Sequence, residues 1–168
     1  VLSSEIEKLI NYTGDRSTVT DADVQQVVTQ TIEEKIFALM DAVGSKKPDQ
    51  AVQYLRPLFQ GGADAQAEAL RTLTMLARHF RHLWQVRLLA SAFPQDGSIM
   101  KMEDWKRTKL FAQARNFSLS ELVQCFEKIT AVDLAMKGIE GAIGDPTRGL
   151  EVLIIELSSL QKSNKGRA

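Results

Sequence analysis

Residues 75–87 read MLARHFRHLWQVR and lie in the part of the chain that decides the fold. No Gly or Pro interrupts residues 64–91 around them, so the pattern predicts one continuous helix. Such a helix is about 40 Å long and turns by about 100° per residue. One of its sides is apolar and the opposite side is basic. The apolar side consists of Leu73, Leu76, Phe80, Leu83 and Trp84, and the basic side of Arg71, Arg78, Arg81 and His82.

The other segments also follow helical periodicity, and none alternates as a half-buried strand does. Capping signals mark several helix starts: Thr20 with Asp23, Ser118 with Glu121, and Asp145 before Pro146. The last of the apolar residues in the helix after Ser118 is Ile139. The expected helices cover about residues 3–13, 20–28, 33–43, 48–59, 64–91, 103–115, 119–139 and 146–160.

The pattern predicts an all-α chain with a boundary near Gln30 and Thr31. Residues 1–30 hold two short helices, and residues 31–168 are expected to form a bundle of five or six helices. Loop signals are strongest at Phe93–Ser98, and the polar stretch Lys162–Ala168 is expected to be a disordered tail.

Composition describes an ordinary globular protein and excludes binding through bulk charge. The chain has 168 residues, 44% hydrophobic and 25% charged, with 21 basic and 21 acidic side chains. A net charge of zero argues against unspecific binding to nucleic acid or membranes, so any such contact needs a local patch. A lone cysteine, Cys125, fits a reducing compartment, and no apolar run spans a bilayer. We therefore expect a cytoplasmic protein without membrane contact. Because the chain begins at Val1, we also expect it to be a piece of a longer protein.

No cluster of residues predicts catalysis, a cofactor or a metal. His79 and His82 are the only histidines, and they are interpreted as surface imidazoles because no further ligand stands beside them. Cys125 lies on an apolar stripe and is interpreted as a core residue. The glycines at 138, 141 and 144 follow a helix rather than a strand, and they are interpreted as a helix stop.

Two surfaces point to partners, each with an ordinary alternative. The last helix carries one apolar stripe, while Val152 and Ile155 point the other way. A helix that is apolar on two sides is either central in its bundle or covered by another subunit. The basic side of the long helix is either solvated or contacts an anion or an acidic partner. The apolar stripe of the last helix consists of Leu150, Leu153, Ile154, Leu157 and Leu160.

Several of these stretches together resemble the C-terminal half of the delta subunit of bacterial DNA polymerase III clamp loaders. The stretches are Ile36–Gly44 (IFALMDAVG), residues 75–87, Ala112–Leu122 (AQARNFSLSEL) and Asp133–Gly138 (DLAMKG), and their order along the chain carries the resemblance. Residues 91–106 follow the family pattern poorly.

The resemblance implies that residues 1–30 are the end of a small helical lid of the AAA+ type and that residues 31–168 are a collar domain. It implies a non-catalytic role: assembly, beside the gamma/tau ATPase subunits and delta-prime, of the loader that places the sliding clamp on primed DNA during replication. The polymerase holoenzyme is a nucleotidyltransferase, but this piece is expected to have no active site. Contact with the clamp would belong to a missing N-terminal domain, and contact with DNA would be indirect. The expected subunit interface is Val152, Ile155, Leu157 and Leu160.

Two other functions stay open at this point. One is a helical protein-binding adaptor unrelated to replication. The other is a helical DNA-binding domain that uses Arg71, Arg78 and Arg81.

Overall fold

The computed structural model describes residues 2–14, 16, 18–20, 23, 32–59, 64–92, 104–139, 141 and 143–160. All regular secondary structure within those ranges is helical, which confirms the all-α prediction. The helices are α1 (Leu2–Thr13), α2 (Ile32–Gly44), α3 (Pro48–Leu55) with a 3-10 turn (Arg56–Leu58), α4 (Ala65–Ala92), α5 (Asp104–Ala114), α6 (Leu119–Met136) and α7 (Pro146–Ser159).

The chain divides into two compact units, residues 1–34 and 35–168. In the first unit α1 ends at Gly14, whose φ of +53° suits glycine. Thr20 and Asp23 exchange the expected capping hydrogen bonds: the Thr20 N–H donates to Asp23 Oδ2 at 2.9 Å, and the Asp23 N–H donates to Thr20 Oγ1 at 3.3 Å. The helix expected after this cap lies outside the described residues, as do the loop at 93–98 and the tail at 162–168. The domain boundary at 30 and 31 stays a prediction.

Helix α4 is the centre of the second unit. It packs against α5, α6 and α7, while α3 and α6 also pack against α7. Its predicted apolar side is buried at Leu73, Leu76, Phe80 and Leu83, as the periodicity indicates. The Phe80 ring meets Phe117 edge to face, with centroids 5.5 Å apart, and Trp84 packs partly buried against Phe126.

Local capping chemistry sets where the helices begin. Ser118 and Glu121 form the complete capping box at the start of α6. At the start of α7, Asp145 precedes Pro146, and the Asp145 side chain accepts a hydrogen bond from the Thr147 N–H. The end of α6 agrees with the helix stop expected at Gly138 but not with the placement of Ile139 on the buried stripe. The helix ends at Met136, Gly138 takes a φ of +68°, and Ile139 is 66% exposed instead of continuing the buried stripe. A left-handed glycine redirects the chain, so helical periodicity does not extend past it.

Candidate interaction surfaces

The outer side of α7 carries an apolar strip. Val152 is 51% exposed and Ile155 is 42% exposed. They lie on the side of the helix opposite Leu150, Leu153 and Leu157, which are buried in the bundle. The inner side of α7 is covered by the chain itself, so these two residues leave apolar surface exposed on the outer side. We call Val152 and Ile155 the α7 strip.

An ion pair lies on each flank of this strip. Glu151 accepts from Arg56 of the 3-10 turn at 3.3 Å, and Glu156 accepts from Lys128 of α6 at 2.7 Å. Both pairs are substantially exposed, and such pairs contribute at most about 1 kcal/mol each. These ion pairs matter for the character of the surface: they neutralise the charged side chains beside the strip, and the middle of the strip stays apolar.

An open groove of about 330 Å³ extends from the strip between α6 and α7. Val132, Ile143 and Val152 give it apolar walls, and Asp145 and Arg148 also line it. Gly149 allows its close packing, because a Cβ there would lie 2.9 Å from Ile143 Cγ2. The groove and the strip therefore form one continuous apolar surface along α7.

Two residues of the expected interface are placed differently from the strip. Leu157 is fully buried in the chain's own core, so it cannot meet another protein unless the bundle opens. Leu160 is partly buried against that core, and its carbonyl accepts from Lys46. Sequence periodicity alone placed these leucines on an apolar side without indicating which neighbour covers that side. The surface that remains is Val152 and Ile155.

Lys46 joins three elements near the end of α7. Its ammonium lies 2.7 Å from Glu121 Oε1 and 4.6 Å from the centre of the Phe117 ring, and it also donates to the Leu160 carbonyl. Glu121 Oε2 meanwhile accepts from the Ser118 N–H at 2.6 Å. Burial tends to raise the pKa of Glu121, but the hydrogen bonds from Lys46 and Ser118 outweigh it and hold that pKa below its ordinary value. Nothing in the sequence pattern indicated this cluster, because the partners of Lys46 are remote in the chain.

The basic side of α4 is exposed at all three of its arginines, as predicted. Arg71 lies 4.0 Å from the carboxylate of Glu68, so its charge is partly compensated. Within the described part of the chain, neither Arg78 nor Arg81 forms an ion pair. His82 is half-buried beside them, and burial together with the charges of Arg78 and Arg81 lowers its pKa. Helical periodicity placed these side chains on one side correctly. It did not indicate that Arg71 lies near a carboxylate whereas Arg78 and Arg81 do not.

His79, interpreted from sequence as a surface imidazole, is instead half-buried with its Nε2 fully enclosed. Burial lowers the pKa of His79 to about 4. The ring lies against Gly44 of α2, where a Cβ would approach Nε2 to 2.8 Å and Gln113 Oε1 to 2.7 Å. Helical periodicity missed this because it places His79 at the border of the basic side, where only the position of α5 decides exposure.

A polar joint connects α2 to α5 at this point. Asp41 accepts from Lys109 and, at 3.2 Å, from Gln113 Nε2. The Asn116 side chain donates to the Gly44 carbonyl at 3.0 Å and satisfies the end of α2. These contacts are structural, because each polar group in them is used to hold a helix end or a helix pair.

The remaining chemistry is sparse. Among the described residues, no group of three or more His, Cys, Asp or Glu side chains is placed to hold a metal ion. Cys125 is buried in the core, and burial raises the pKa of its thiol to about 12. In the part of the chain that the structure describes, no helix combines the length and the apolar character needed to cross a bilayer.

Comparisons with known proteins give these surfaces a context. Residues 33–157 match the family model described as DNA polymerase III delta subunit, C-terminal domain. A Bacillus subtilis protein named DNA polymerase III subunit delta is 27% identical over 136 residues, which is 79% of this chain and 38% of that protein. The chain thus spans well under half the length of that relative.

A solved structure supports the same fold. The Bacillus subtilis DNA clamp loader delta protein is similar with a TM-score of 0.67 at 24% identity, over 94% of this chain and 45% of that one. The family match extends from the start of α2 to the last turn of α7 and therefore includes the α7 strip, the groove and the basic side of α4. The chain belongs to the family formed by the C-terminal domains of DNA polymerase III delta subunits.

Proposed function

We propose that this chain is an assembly module of a bacterial clamp loader and acts without chemistry of its own. Residues 31–168 are its collar domain, and residues 1–30 are the end of the AAA+ lid. The α7 strip contacts neighbouring loader subunits, for which the gamma/tau ATPase subunits and delta-prime are the candidates. The sliding clamp is reached by the rest of the delta subunit, and primed DNA is bound by the assembled loader.

The observation that carries this proposal is the exposure of Val152 and Ile155 on a helix whose other side is already buried. A single apolar side chain that is about half exposed is ordinary, but two on one helical side, continuous with an apolar groove, are typical of a protein interface. The family match covers this helix and names a subunit of a larger assembly.

The flanking charges support a specific geometry for that contact. Because Glu151 and Glu156 are paired within the chain, a partner helix lying on the strip meets apolar surface in the middle and neutralised charge at both edges. This arrangement of an apolar centre and a polar rim is the usual anatomy of a subunit interface. A generic protein-binding adaptor would have the same anatomy, so only the identity of the partner separates the two functions.

The test is a mixing experiment with purified gamma/tau and delta-prime from the same organism. Size-exclusion chromatography with light scattering gives the mass of each eluted complex. We expect one copy of this chain in a complex with those subunits. Absence of a complex for both this chain and the full-length delta subunit, with all components folded, would overturn the proposal. If only the full-length protein formed a complex, the residues needed for assembly would lie outside this chain.

A further inference from the structure

The basic side of α4 provides a second surface, which assembly through α7 does not use. Arg78 and Arg81 are exposed and one helical turn apart, about 4.5 Å along the axis. The exposed positions on this side of the helix carry no carboxylate: they are Ala67, Arg71, Thr74, Arg78, Arg81, Gln85 and Leu88.

Several other exposed cations of the chain are neutralised locally, whereas Lys47, Arg115 and Arg148 are exposed without an ion pair to a described residue. Arg16, Arg56, Lys128 and Lys137 each lie within 3.3 Å of a carboxylate oxygen, at 2.9, 3.3, 2.7 and 2.6 Å respectively. Within the described residues, Arg78 and Arg81 have no such partner. Like charges three residues apart on one side of a helix repel each other, and an external anion relieves that repulsion.

We propose that Arg78 and Arg81 bind the sugar–phosphate backbone of DNA. A guanidinium group can donate two parallel hydrogen bonds to two oxygens of one phosphate, and this bidentate geometry favours phosphate over an anion that accepts a single hydrogen bond. The choice of DNA as the polyanion rests on the proposed function, since a clamp loader acts on DNA. The surface itself is an independent observation.

The same side of α4 indicates how such a contact works. Its exposed residues include no Phe, Tyr or Trp: Trp84 packs on the other side of the helix against Phe126, with ring centroids 5.2 Å apart, and the His82 ring is half-buried. The proposed contact therefore depends mainly on the phosphate backbone. The chain's net charge of zero makes the attraction local, so it is lost when these two residues are changed.

The half-buried His82 adds a consistent detail. Its pKa is lowered by burial and by the charges of Arg78 and Arg81. An anion bound between the two arginines offsets their effect and raises the pKa of His82 towards its ordinary value. A histidine resonance followed by NMR therefore reports occupancy of the site independently of affinity.

The experiment uses the whole chain and two fluorescein-labelled probes, a short DNA duplex and one of its single strands. Fluorescence anisotropy is measured between about 50 and 200 mM salt, where phosphate contacts lose affinity steeply. The double variant Arg78→Glu/Arg81→Glu is compared with Lys47→Glu/Arg115→Glu, which makes the same charge change at two exposed positions elsewhere.

We expect the α4 variant to lose about tenfold or more in affinity and the control to stay within about twofold. The slope of log affinity against log salt on the duplex is expected to fall by about 1.8, or 0.9 for each phosphate contact. A preference for one probe identifies whether duplex or single-stranded DNA supplies the phosphates.

Three results would overturn the proposal: no DNA binding by the parent chain at low salt, equal losses in both variants, or stronger competition by polyglutamate than by DNA of equal charge. The last would identify an acidic protein as the partner. Assembly with gamma/tau and delta-prime is measured on the same α4 variant and is expected to be unchanged. Failure of assembly in the parent chain would instead count against the proposed function and leave the DNA result standing.

Discussion

The ammonium of Lys46 lies 2.7 Å from the Glu121 carboxylate across 75 residues of sequence, and this pair ties the turn after α2 to the first turn of α6. The Glu121 side chain is 2% exposed and that of Lys46 is 18% exposed. Lys46 reaches its position with a φ of +55°, which is unfavourable for a lysine. The fold accepts this backbone cost because the side chain links Glu121, Phe117 and the end of α7.

Replacing Lys46 by alanine is expected to lower the free energy of unfolding by about 2–4 kcal/mol, because a buried carboxylate loses its cation. Lys46→Gly removes the same contacts but relieves the left-handed backbone. We expect the glycine variant to be more stable than the alanine variant by about 1 kcal/mol. Urea denaturation of the three proteins measures both differences. Equal stability of the two variants would contradict backbone strain at this position.

Glu121 is expected to make the free energy of unfolding depend on pH in the acid range. Its pKa lies below the ordinary 4.5 in the folded chain, so its contribution is present above 4.5 and disappears as the pH falls through the lowered value. In Lys46→Ala this part of the pH dependence shrinks. Denaturation curves across the acid range, compared between parent and variant, provide the measurement. If the stability of the variant depended on pH below 4.5 as strongly as that of the parent chain, Lys46 would not be a cause of the lowered pKa of Glu121.

His79 is expected to make the chain less stable as the pH falls from about 6.5 to about 4. Its folded pKa is lowered to about 4 by burial, whereas the unfolded chain takes up the proton near 6.5. The unfolded state therefore gains a proton that the folded state excludes, with a slope of up to about 1.4 kcal/mol per pH unit. His79→Gln is expected to remove the larger part of this slope. His82→Gln is the comparison variant, and it is expected to change the slope less because His82 is only half-buried, although its pKa is lowered as well. A slope in His79→Gln equal to that of the parent chain would refute the assignment.

Gly44→Ala is expected to destabilise the chain by about 1–3 kcal/mol, because the new methyl group overlaps Gln113 and His79. Shortening the obstructing side chain in Gly44→Ala/Gln113→Ala makes room for it. The double variant is expected to lose less than the sum of the two single losses, since the sites share one space. Thermal denaturation of the four proteins completes this cycle. Strict additivity would show that the two residues are not in contact.

Cys125 is expected to resist thiol reagents in the native chain and to react fully in denaturant. It is buried on the inner side of α6, and burial raises its pKa to about 12, so almost no thiolate exists at neutral pH. Labelling with a disulfide reagent at mild pH, followed by absorbance, measures the accessible thiol. Rapid labelling of the folded chain would mean that α6 opens locally.

Local sequence signals predicted most of the helices because their causes are local. The capping box at Ser118 and Glu121, the proline after Asp145 and the uninterrupted run through α4 each depend on neighbouring residues alone. The exposed residues of the candidate surfaces were harder to predict, because the exposure of a side chain depends on which helix packs beside it. Leu157 and Val152 share one helix, yet only the packing of α7 on α3, α4 and α6 decides which of them is outside.

Lys46 and His79 show the limit of such reasoning most clearly. One reaches Glu121 far along the chain and the other is enclosed by α2 and α5, and neither relation leaves a periodic trace in the sequence. Ile139 illustrates the opposite error, because periodicity continued across a turn where Gly138 had already redirected the backbone.

The most direct measurement of the central claim is the affinity of this chain for gamma/tau and delta-prime with and without the α7 strip. Val152→Asp/Ile155→Glu is compared with Leu119→Asp/Val123→Glu, which places the same charges on exposed apolar positions of α6. Analytical ultracentrifugation gives the dissociation constants, and circular dichroism verifies folding. We expect a loss of about tenfold or more for the α7 variant, corresponding to about 1.4 kcal/mol, and little change for the control. Equal assembly by the parent chain and the folded α7 variant would contradict the claim that the α7 strip is the subunit interface.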